Sequence, residues 1–155
     1  MTSTDKPSIL FACRANAGRS VTGKVLAERY AGERVAVFSA GSQPGEHVHS
    51  EVAAVLASLG LESGSETPKG FDPDGHYTAV VTMGCGEECP FYAGARYEDW
   101  ELDDPKGKDE ATVRRIVADI DTRVRGLLLS LVPDLDLPPS VVTPSPDVAS
   151  APWQR

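Results

Sequence analysis

The sequence lacks long apolar segments, an excess of basic residues and an even number of cysteines. No apolar run approaches the roughly 18 to 20 residues that span a membrane, and the first residues do not follow the order of a signal peptide. The formal net charge of −8 at pH 7 disfavours nucleic acid and acidic membranes, which bind basic surfaces. We therefore expect a monomeric cytoplasmic protein that binds neither nucleic acid nor membrane.

The cysteines are few and unevenly placed. Three cysteines leave one thiol over in any permanent disulfide framework, which favours a reducing compartment. Cys13 follows an apolar run near the start of the chain, whereas Cys85 and Cys89 lie together far along it. Two thiols without a neighbouring Cys or His pair make an incomplete zinc site, so we expect no metal. The three histidines are expected to be polar surface residues: His47, His49 and His76.

Apolar periodicity predicts one α/β domain. At 155 residues the chain is too short for two ordinary domains, and we assign the domain to residues 8–132, with a disordered N-terminus at 1–7 and a proline-rich disordered tail at 133–155. Short apolar runs predict strands, and spacing of three to four predicts helices. The strands are 8–12, 35–39, 78–83 and 97–100, and the helices are 20–31, 50–59 and 108–131, with a short one near 72–77.

The alternation of strands and helices favours a four-stranded parallel sheet with helices on both faces, a three-layer α/β/α domain. In such sheets, ligands bind at the carboxyl ends of the strands. Cys13 and the segment that contains Cys85 each follow a strand. Both are therefore expected at the same edge of the sheet.

The loop after the first strand has the composition of an oxyanion site. Its residues are Cys13, Arg14, Ala15, Asn16, Ala17, Gly18 and Arg19, followed by Ser20. A loop at a helix N-terminus directs backbone N–H groups at a tetrahedral anion, and an arginine adds a two-pronged donor. The same field favours a thiolate at Cys13. A buried structural cysteine is the alternative interpretation.

A nucleotide-binding loop is a weaker interpretation of the same region. The spacing Gly18-x4-Gly23-Lys24 is typical of that motif, but Val25 stands where a magnesium-binding Ser or Thr is needed. The glycines would also fall inside the predicted helix.

At these residues the chain resembles the arsenate reductases built on the low-molecular-weight tyrosine phosphatase fold, of the thioredoxin-coupled type. The resemblance covers about residues 8 to 130. Its landmarks are Cys13-x2-Asn16-x2-Arg19-Ser20, Ser39-Ala40-Gly41, Pro68-Lys69, Val81-Thr82-Met83-Gly84-Cys85-Gly86 and Asp99-Trp100-x2-Asp103-Asp104-Pro105.

The resemblance implies roles for the loop residues. Cys13 would be the nucleophile, Arg19 would hold the oxyanion, and Ser20 would donate its hydroxyl to the thiolate. Asp104, just before a proline, would be the general acid, although Asp103 would serve equally by chemistry alone.

The resemblance also implies a thiol relay that reduces arsenate, with phosphate or sulfate as analogues. Cys13 attacks arsenic, Cys85 attacks the Cys13 sulfur and releases arsenite, and Cys89 then forms a disulfide with Cys85. No cofactor would be bound. Thioredoxin, with thioredoxin reductase and NADPH, would restore the thiols; a low-molecular-weight thiol with a glutaredoxin-like protein is the other reductant.

The spacing of the later cysteines requires an irregular segment. Residues four apart on a helix have Cβ atoms about 5 to 6 Å apart, whereas a disulfide needs about 3.5 to 4.5 Å. Gly84, Gly86 and Pro90 indicate a loop that changes shape on oxidation.

Two other functions fit part of the pattern. A low-molecular-weight protein tyrosine phosphatase that hydrolyses phosphate monoesters needs only the loop cysteine and the acid, because water completes its cycle. A protein that holds an oxyanion without turnover needs only the loop.

The resemblance also implies a potassium site in some members, and the presence of Lys24 predicts that this chain has none.

Overall fold

The computed structural model describes residues 6–64, 66–85 and 88–142, which form an α/β domain around a four-stranded parallel sheet. The strand order is β2-β1-β3-β4. The elements are β1 Ser8–Cys13, α1 Arg19–Ala31, β2 Ala36–Gly41, α2 Ser50–Ser58, β3 Ala79–Thr82, β4 Arg96–Asp99 and α3 Glu110–Leu131, with a 3₁₀ turn at Gly32–Arg34. The predicted single α/β domain with a four-stranded parallel sheet is confirmed.

Strand β1 lies in the interior of the sheet and sets the position of its functional edge. It pairs with β2 on one side and β3 on the other, so that Cys13 lies opposite Gly41 and Ala12 opposite Thr82. Because both neighbours cover its backbone and both faces are packed, β1 is almost entirely buried, which explains its continuous apolar sequence. Cys13 is its last residue.

The three helices of the described residues pack on one face of the sheet. Leu26 of α1, Leu56 of α2 and Ile120 of α3 belong to one buried cluster with Phe11. Gly23 allows α1 to approach β1 closely, since a Cβ there would lie 2.7 Å from the Phe11 ring.

On the opposite face, the described residues place connecting segments rather than a helix against the sheet. Leu10, Ala40 and Val80 point to this face and are covered by Tyr92 and other aromatic side chains of the connecting segments. The physical reason lies in residues 61–78, where glycine, serine, proline and charge interrupt any helical period. The short helix predicted near 72–77 is absent too; Asp72 instead accepts hydrogen bonds within a turn.

The chain remains packed beyond the predicted domain end at residue 132. The Val141 N–H donates to the Tyr30 hydroxyl at 2.9 Å, and the Ser140 hydroxyl donates to Asp121 Oδ2 at 2.6 Å. Burial, together with the hydrogen bond to Asp121, raises the pKa of Tyr30. Leu137 packs against the main core. The described structure thus places residues 133–142 against the domain, where the sequence predicted disorder, while residues 1–5 and 143–155 lie outside the described residues.

Helix α3 begins with a side-chain cap. Asp109 Oδ1 accepts a hydrogen bond from Thr112 N at 3.0 Å, which satisfies one of the unpaired N–H groups of the first turn. In the part of the chain that the structure describes, no helix has the length and apolar character needed to cross a membrane.

Candidate active site

The loop between β1 and α1 is held open by backbone hydrogen bonds to residues 42–49. Four carbonyl groups of the strand end and loop accept from amides of that segment, so their hydrogen bonds are already made outside the loop. The pairs are Cys13 O with Ser42 N (3.2 Å), Arg14 O with Gln43 N (2.7 Å), Ala15 O with Gly45 N (2.9 Å) and Ala17 O with His49 N (2.8 Å).

Gly41 is required by this arrangement. A Cβ at Gly41 would lie 2.5 Å from the Arg14 carbonyl oxygen and 2.8 Å from Asn16 N. Any other residue at the end of β2 would displace the loop, so the Ser39-Ala40-Gly41 pattern has a steric cause.

The Cys13 sulfur receives hydrogen bonds on its buried side. Its Sγ lies 2.9 Å from Ser20 Oγ and accepts from Asn16 N at 3.3 Å. Asn16 Nδ2 donates to Ser20 Oγ at 2.8 Å, so the Ser20 proton remains available to point at the sulfur. Both donors stabilise a negative sulfur, which fits a nucleophile.

Asn16 holds the loop in its unusual shape. It is fully buried, has a positive φ of 51°, and accepts a hydrogen bond from Lys69 N at 3.0 Å. Asparagine tolerates this backbone region better than most residues. The Lys69 carbonyl also accepts from Gly41 N at 2.8 Å, so the Pro68-Lys69 landmark ties the loop to β2.

Arg19, the first residue of α1, lies at the wall of the site. Its Nη1 donates to Leu102 O at 3.2 Å, and its Nη2 lies 3.9 Å from Asp104 Oδ2. Gly84 borders the guanidinium, since a Cβ there would lie 2.5 Å from Nη1. The arginine therefore occupies a slot between the segment after β3 and the segment after β4.

The two adjacent aspartates face different cavities. Asp104 lines the cavity that contains Cys13, whereas Asp103 lines a second cavity beside α3. Asp104 is largely exposed, and its Oδ1 accepts from Lys106 N at 3.0 Å. The structure thus separates two residues that chemistry alone left equivalent.

Glu51, on the first turn of α2, anchors the segment that carries Asp104. Gly107 N donates to Glu51 Oε2 at 2.6 Å. Hydrogen bonds from the backbone N–H groups of Glu51 itself and of Gly107 lower the pKa of this carboxyl. The carboxylate therefore remains ionised while it holds the loop.

The cavity above Cys13 has a volume of about 400 Å³. Its walls are Cys13, Arg14, Ala15, Gly18 and Arg19 of the loop together with Gln43, Gly45, His49, Gly84, Asp104 and Lys106. The position of His49 corrects our expectation that it is simply a surface residue. No sequence pattern near His49 indicates that it lines the cavity, because the cavity walls come from the four segments that follow the four strands.

The later cysteines form a disulfide at the same edge of the sheet. Cys85 and Cys89 are linked, with Cα atoms 5.6 Å apart, and Cys13 is free. Neither cysteine lies in a regular helix, as the spacing predicted. The pairing agrees with the one that the resemblance implies.

Glu88 connects the disulfide segment to the anion loop. Its Oε1 accepts from Ser42 Oγ at 2.8 Å and Gln43 Nε2 at 3.4 Å, and it lies 3.5 Å from Arg14 Nε. Arg14 and Gln43 both line the cavity. A carboxylate therefore lies at the rim of this cavity. No sequence pattern around Glu88 indicates this contact.

A metal centre finds no support in the described part of the chain. No three His, Cys, Asp or Glu side chains lie together there in an arrangement that would bind a metal ion. The site consists of a thiol, backbone N–H groups, a guanidinium and carboxylates. These groups suit nucleophilic attack on a tetrahedral oxyanion.

Comparison with known proteins gives consistent matches. The model of the low molecular weight phosphotyrosine protein phosphatase family matches residues 8–136. A Halobacterium salinarum protein named "Putative arsenate reductase" is 35% identical over 131 residues, which are 80% of this chain and 92% of the relative. A glutaredoxin arsenate reductase of Synechocystis is 25% identical over 79% of this chain and 97% of its own length.

A solved structure extends the comparison. The thioredoxin-dependent arsenate reductase of Corynebacterium glutamicum is 38% identical, with a TM-score of 0.72. The match covers 84% of this chain and 64% of that chain.

Proposed function

Because this chain belongs to the low molecular weight phosphotyrosine protein phosphatase family, we propose that it is an arsenate reductase that uses an intramolecular thiol relay. The observation that carries the proposal is the Cys85–Cys89 disulfide at the same sheet edge as the Cys13 oxyanion loop. A phosphatase has no use for that pair, whereas reduction of arsenate requires two electrons from thiols.

The first step is attack by the Cys13 thiolate on arsenic. Loop N–H groups and Arg19 bind the arsenate oxygens and stabilise the negative charge of the transition state. Asp104 protonates the oxygen that leaves as water, and a bond between sulfur and arsenic(V) forms. The short contacts from Ser20 and Asn16 to Cys13 Sγ support the thiolate as attacking species.

The next steps move two electrons to arsenic. The Cys85 thiolate attacks Cys13 Sγ, and the electron pair of the sulfur–arsenic bond remains on arsenic, which leaves as arsenite. Cys89 then attacks Cys85 Sγ, forms the Cys85–Cys89 disulfide and releases the Cys13 thiolate. That disulfide, with Cys13 free, is the pairing of the present structure.

Thioredoxin is the reductant we propose. Support comes from the Corynebacterium glutamicum relative, which is named as thioredoxin-dependent. The Synechocystis relative carries a glutaredoxin name, so a low-molecular-weight thiol with glutaredoxin is the alternative electron source.

The relay is tested by arsenite formation with thioredoxin, thioredoxin reductase and NADPH. We expect multiple turnovers from the native protein. The Cys89→Ser variant should complete one turnover and stop as a Cys13–Cys85 disulfide, identified by mass spectrometry. Sustained turnover of Cys89→Ser with thioredoxin would refute the relay.

The acid is tested with a matched pair of variants. Asp104→Asn should lower kcat by about 10² to 10⁴, the range for loss of a general acid. Asp103→Asn removes an equal charge from the neighbouring cavity and should leave kcat nearly unchanged. Equal losses in both variants would show that only the net charge of the segment matters.

Phosphatase activity is the second candidate, favoured by the loop and Asp104, which suffice for ester hydrolysis without the later cysteines. Hydrolysis of an aryl phosphate at a rate above arsenate reduction, unchanged in Cys85→Ser, would support it. Slow hydrolysis alone would not, because the loop binds phosphate in either case.

A further inference from the structure

Two aromatic side chains are exposed in the segment that follows the disulfide. Phe91 is 78% exposed and follows Cys89 by two positions. Its ring is stacked on that of Tyr97, 36% exposed, with centroids 5.4 Å apart and planes 8° from parallel. We call Phe91 and Tyr97 the aromatic patch. Large exposed apolar surfaces are unfavourable in water and typically mark a binding surface.

Hydrogen bonds and packing of Tyr92 fix the position of the patch. The Tyr92 N–H donates to the Tyr97 hydroxyl, and the Tyr92 hydroxyl donates to Asp72 O at 2.7 Å. Tyr92 itself packs against Leu10 and Val80 on the face of the sheet that has no helix. The patch is therefore a rigid surface, and a partner loses little conformational freedom on binding to it.

The disulfide is accessible on one side only. Cys85 is 3% exposed, whereas Cys89 is only partly buried. Thiol–disulfide exchange requires an external thiolate to contact one of the two sulfur atoms. A donor from outside therefore attacks Cys89. The Cα atoms of Cys89 and Phe91 are at most about 7 Å apart, so a protein donor that contacts Cys89 also comes close to Phe91.

From these observations we infer that the aromatic patch is the docking surface for reduced thioredoxin, an inference that rests on the proposed function. The thioredoxin thiolate attacks Cys89 Sγ, and Cys85 leaves as a thiolate from a mixed disulfide. The second thioredoxin thiol then attacks that mixed disulfide, so that Cys89 is freed and thioredoxin leaves oxidised with both electrons transferred.

Other occupants fit the surface less well. A small thiol needs no apolar platform to reach Cys89. A second copy of this chain that paired along β4 would meet the charges of the exposed Arg96 and the partly buried Glu98, which disfavour strand addition. An apolar centre with such charges at its rim is instead the usual composition of a transient protein interface.

The test follows reduction of the disulfide directly. Oxidised protein is mixed with increasing concentrations of thioredoxin, kept reduced by thioredoxin reductase and NADPH, and quenched samples are alkylated and weighed by mass spectrometry. Phe91→Ala should lower the second-order rate constant about tenfold, because loss of a central aromatic anchor commonly has this effect. The rate constant of Phe91→Leu, which keeps most of the apolar area, should lie between those of the native protein and Phe91→Ala.

Two controls separate docking from damage to the disulfide. Dithiothreitol should reduce the native and Phe91→Ala proteins at the same rate, since it needs no platform. Leu129→Ala removes a side chain that is 41% exposed on α3, on the other face of the sheet, and should react normally with thioredoxin.

Three results would overturn the inference. They are an unchanged thioredoxin rate in Phe91→Ala, an equal slowing with dithiothreitol, and a tenfold effect seen only with glutathione and glutaredoxin. The experiment contains no arsenate. Failure to form arsenite in the separate turnover assay would therefore refute the proposed function, whereas the present experiment tests docking alone.

Discussion

Replacement of Gly84 by alanine should disable the anion site while leaving the fold intact. Gly84 has a φ of +96°, and a Cβ there would lie 2.5 Å from Arg19 Nη1. The clashing atom is the end of a flexible side chain, so the guanidinium moves rather than the backbone. We therefore expect the main effect on oxyanion binding and catalysis.

The magnitude follows from the displacement. To reach ordinary contact at 3.4 Å from 2.5 Å, Nη1 must move by about 0.9 Å. A misplacement of about 1 Å at a reacting centre costs about 10²-fold in rate. The positive φ should cost a further 1 to 2 kcal/mol, roughly, of unfolding free energy for a residue with a Cβ.

Gly94 offers a matched control for the backbone cost. Its φ is +86°, and a Cβ there meets nothing within 4 Å. Gly94→Ala should therefore lose about the same unfolding free energy in urea as Gly84→Ala. It should keep native kcat/KM for arsenate and native affinity for phosphate, measured by titration calorimetry.

The two variants together decide the cause. If Gly84→Ala binds phosphate and turns over within about threefold of Gly94→Ala, the steric argument at Arg19 is refuted. If both variants lose activity equally, backbone strain rather than the guanidinium is responsible.

Three further outcomes are expected. Asn16→Ala should lower the unfolding free energy by about 3 kcal/mol in urea, from two lost side-chain hydrogen bonds and the strain of a positive φ; a loss under about 1 kcal/mol would contradict this. N–H groups of Glu51 and Gly107 lower the pKa of the Glu51 carboxyl, so its stabilisation is present above the unfolded pKa and lost as pH falls through the folded one. The Tm difference between native protein and Glu51→Gln should thus vanish on acidification, and an equal difference at pH 3 and pH 7, roughly, would be inconsistent. Glu88→Gln should make the oxidised protein bind phosphate about two- to fivefold more tightly, because the carboxylate competes for Arg14; unchanged affinity in calorimetry would contradict it.

Local sequence patterns predicted most of the secondary structure. Burial of β1 on both faces demands a continuous apolar run, and α3 shows its buried stripe at every third or fourth residue. Both signals are properties of a short segment, so they survive without knowledge of the tertiary contacts. The predicted bounds differ from the observed ones by a residue or two. Helix ends depend on caps such as Asp109, which the apolar period does not locate.

Long-range packing accounts for the segment where the structure differs from the sequence-based prediction. The segment 133–142 has no helical or strand period, yet it is held by Tyr30 and Asp121, which are remote in the chain. No sequence pattern near residue 140 indicates contact with Tyr30 or Asp121. Prolines there prevent regular structure, but they do not prevent packing against an existing core.

Part of the candidate site is likewise indicated by local sequence, and the rest depends on tertiary packing. One cysteine, one arginine and small residues between a strand and a helix are enough to indicate the chemistry of the oxyanion loop, so local sequence alone predicts Cys13 and Arg19 as its functional residues. Tertiary structure alone brought His49 and Gly84 to the cavity and set Glu88 against the loop, and it places Asp104, which the resemblance already implied, in the cavity. These residues arrive from separate connections. Parallel strands end at one edge of the sheet, and only the order of those strands determines which side chains meet there.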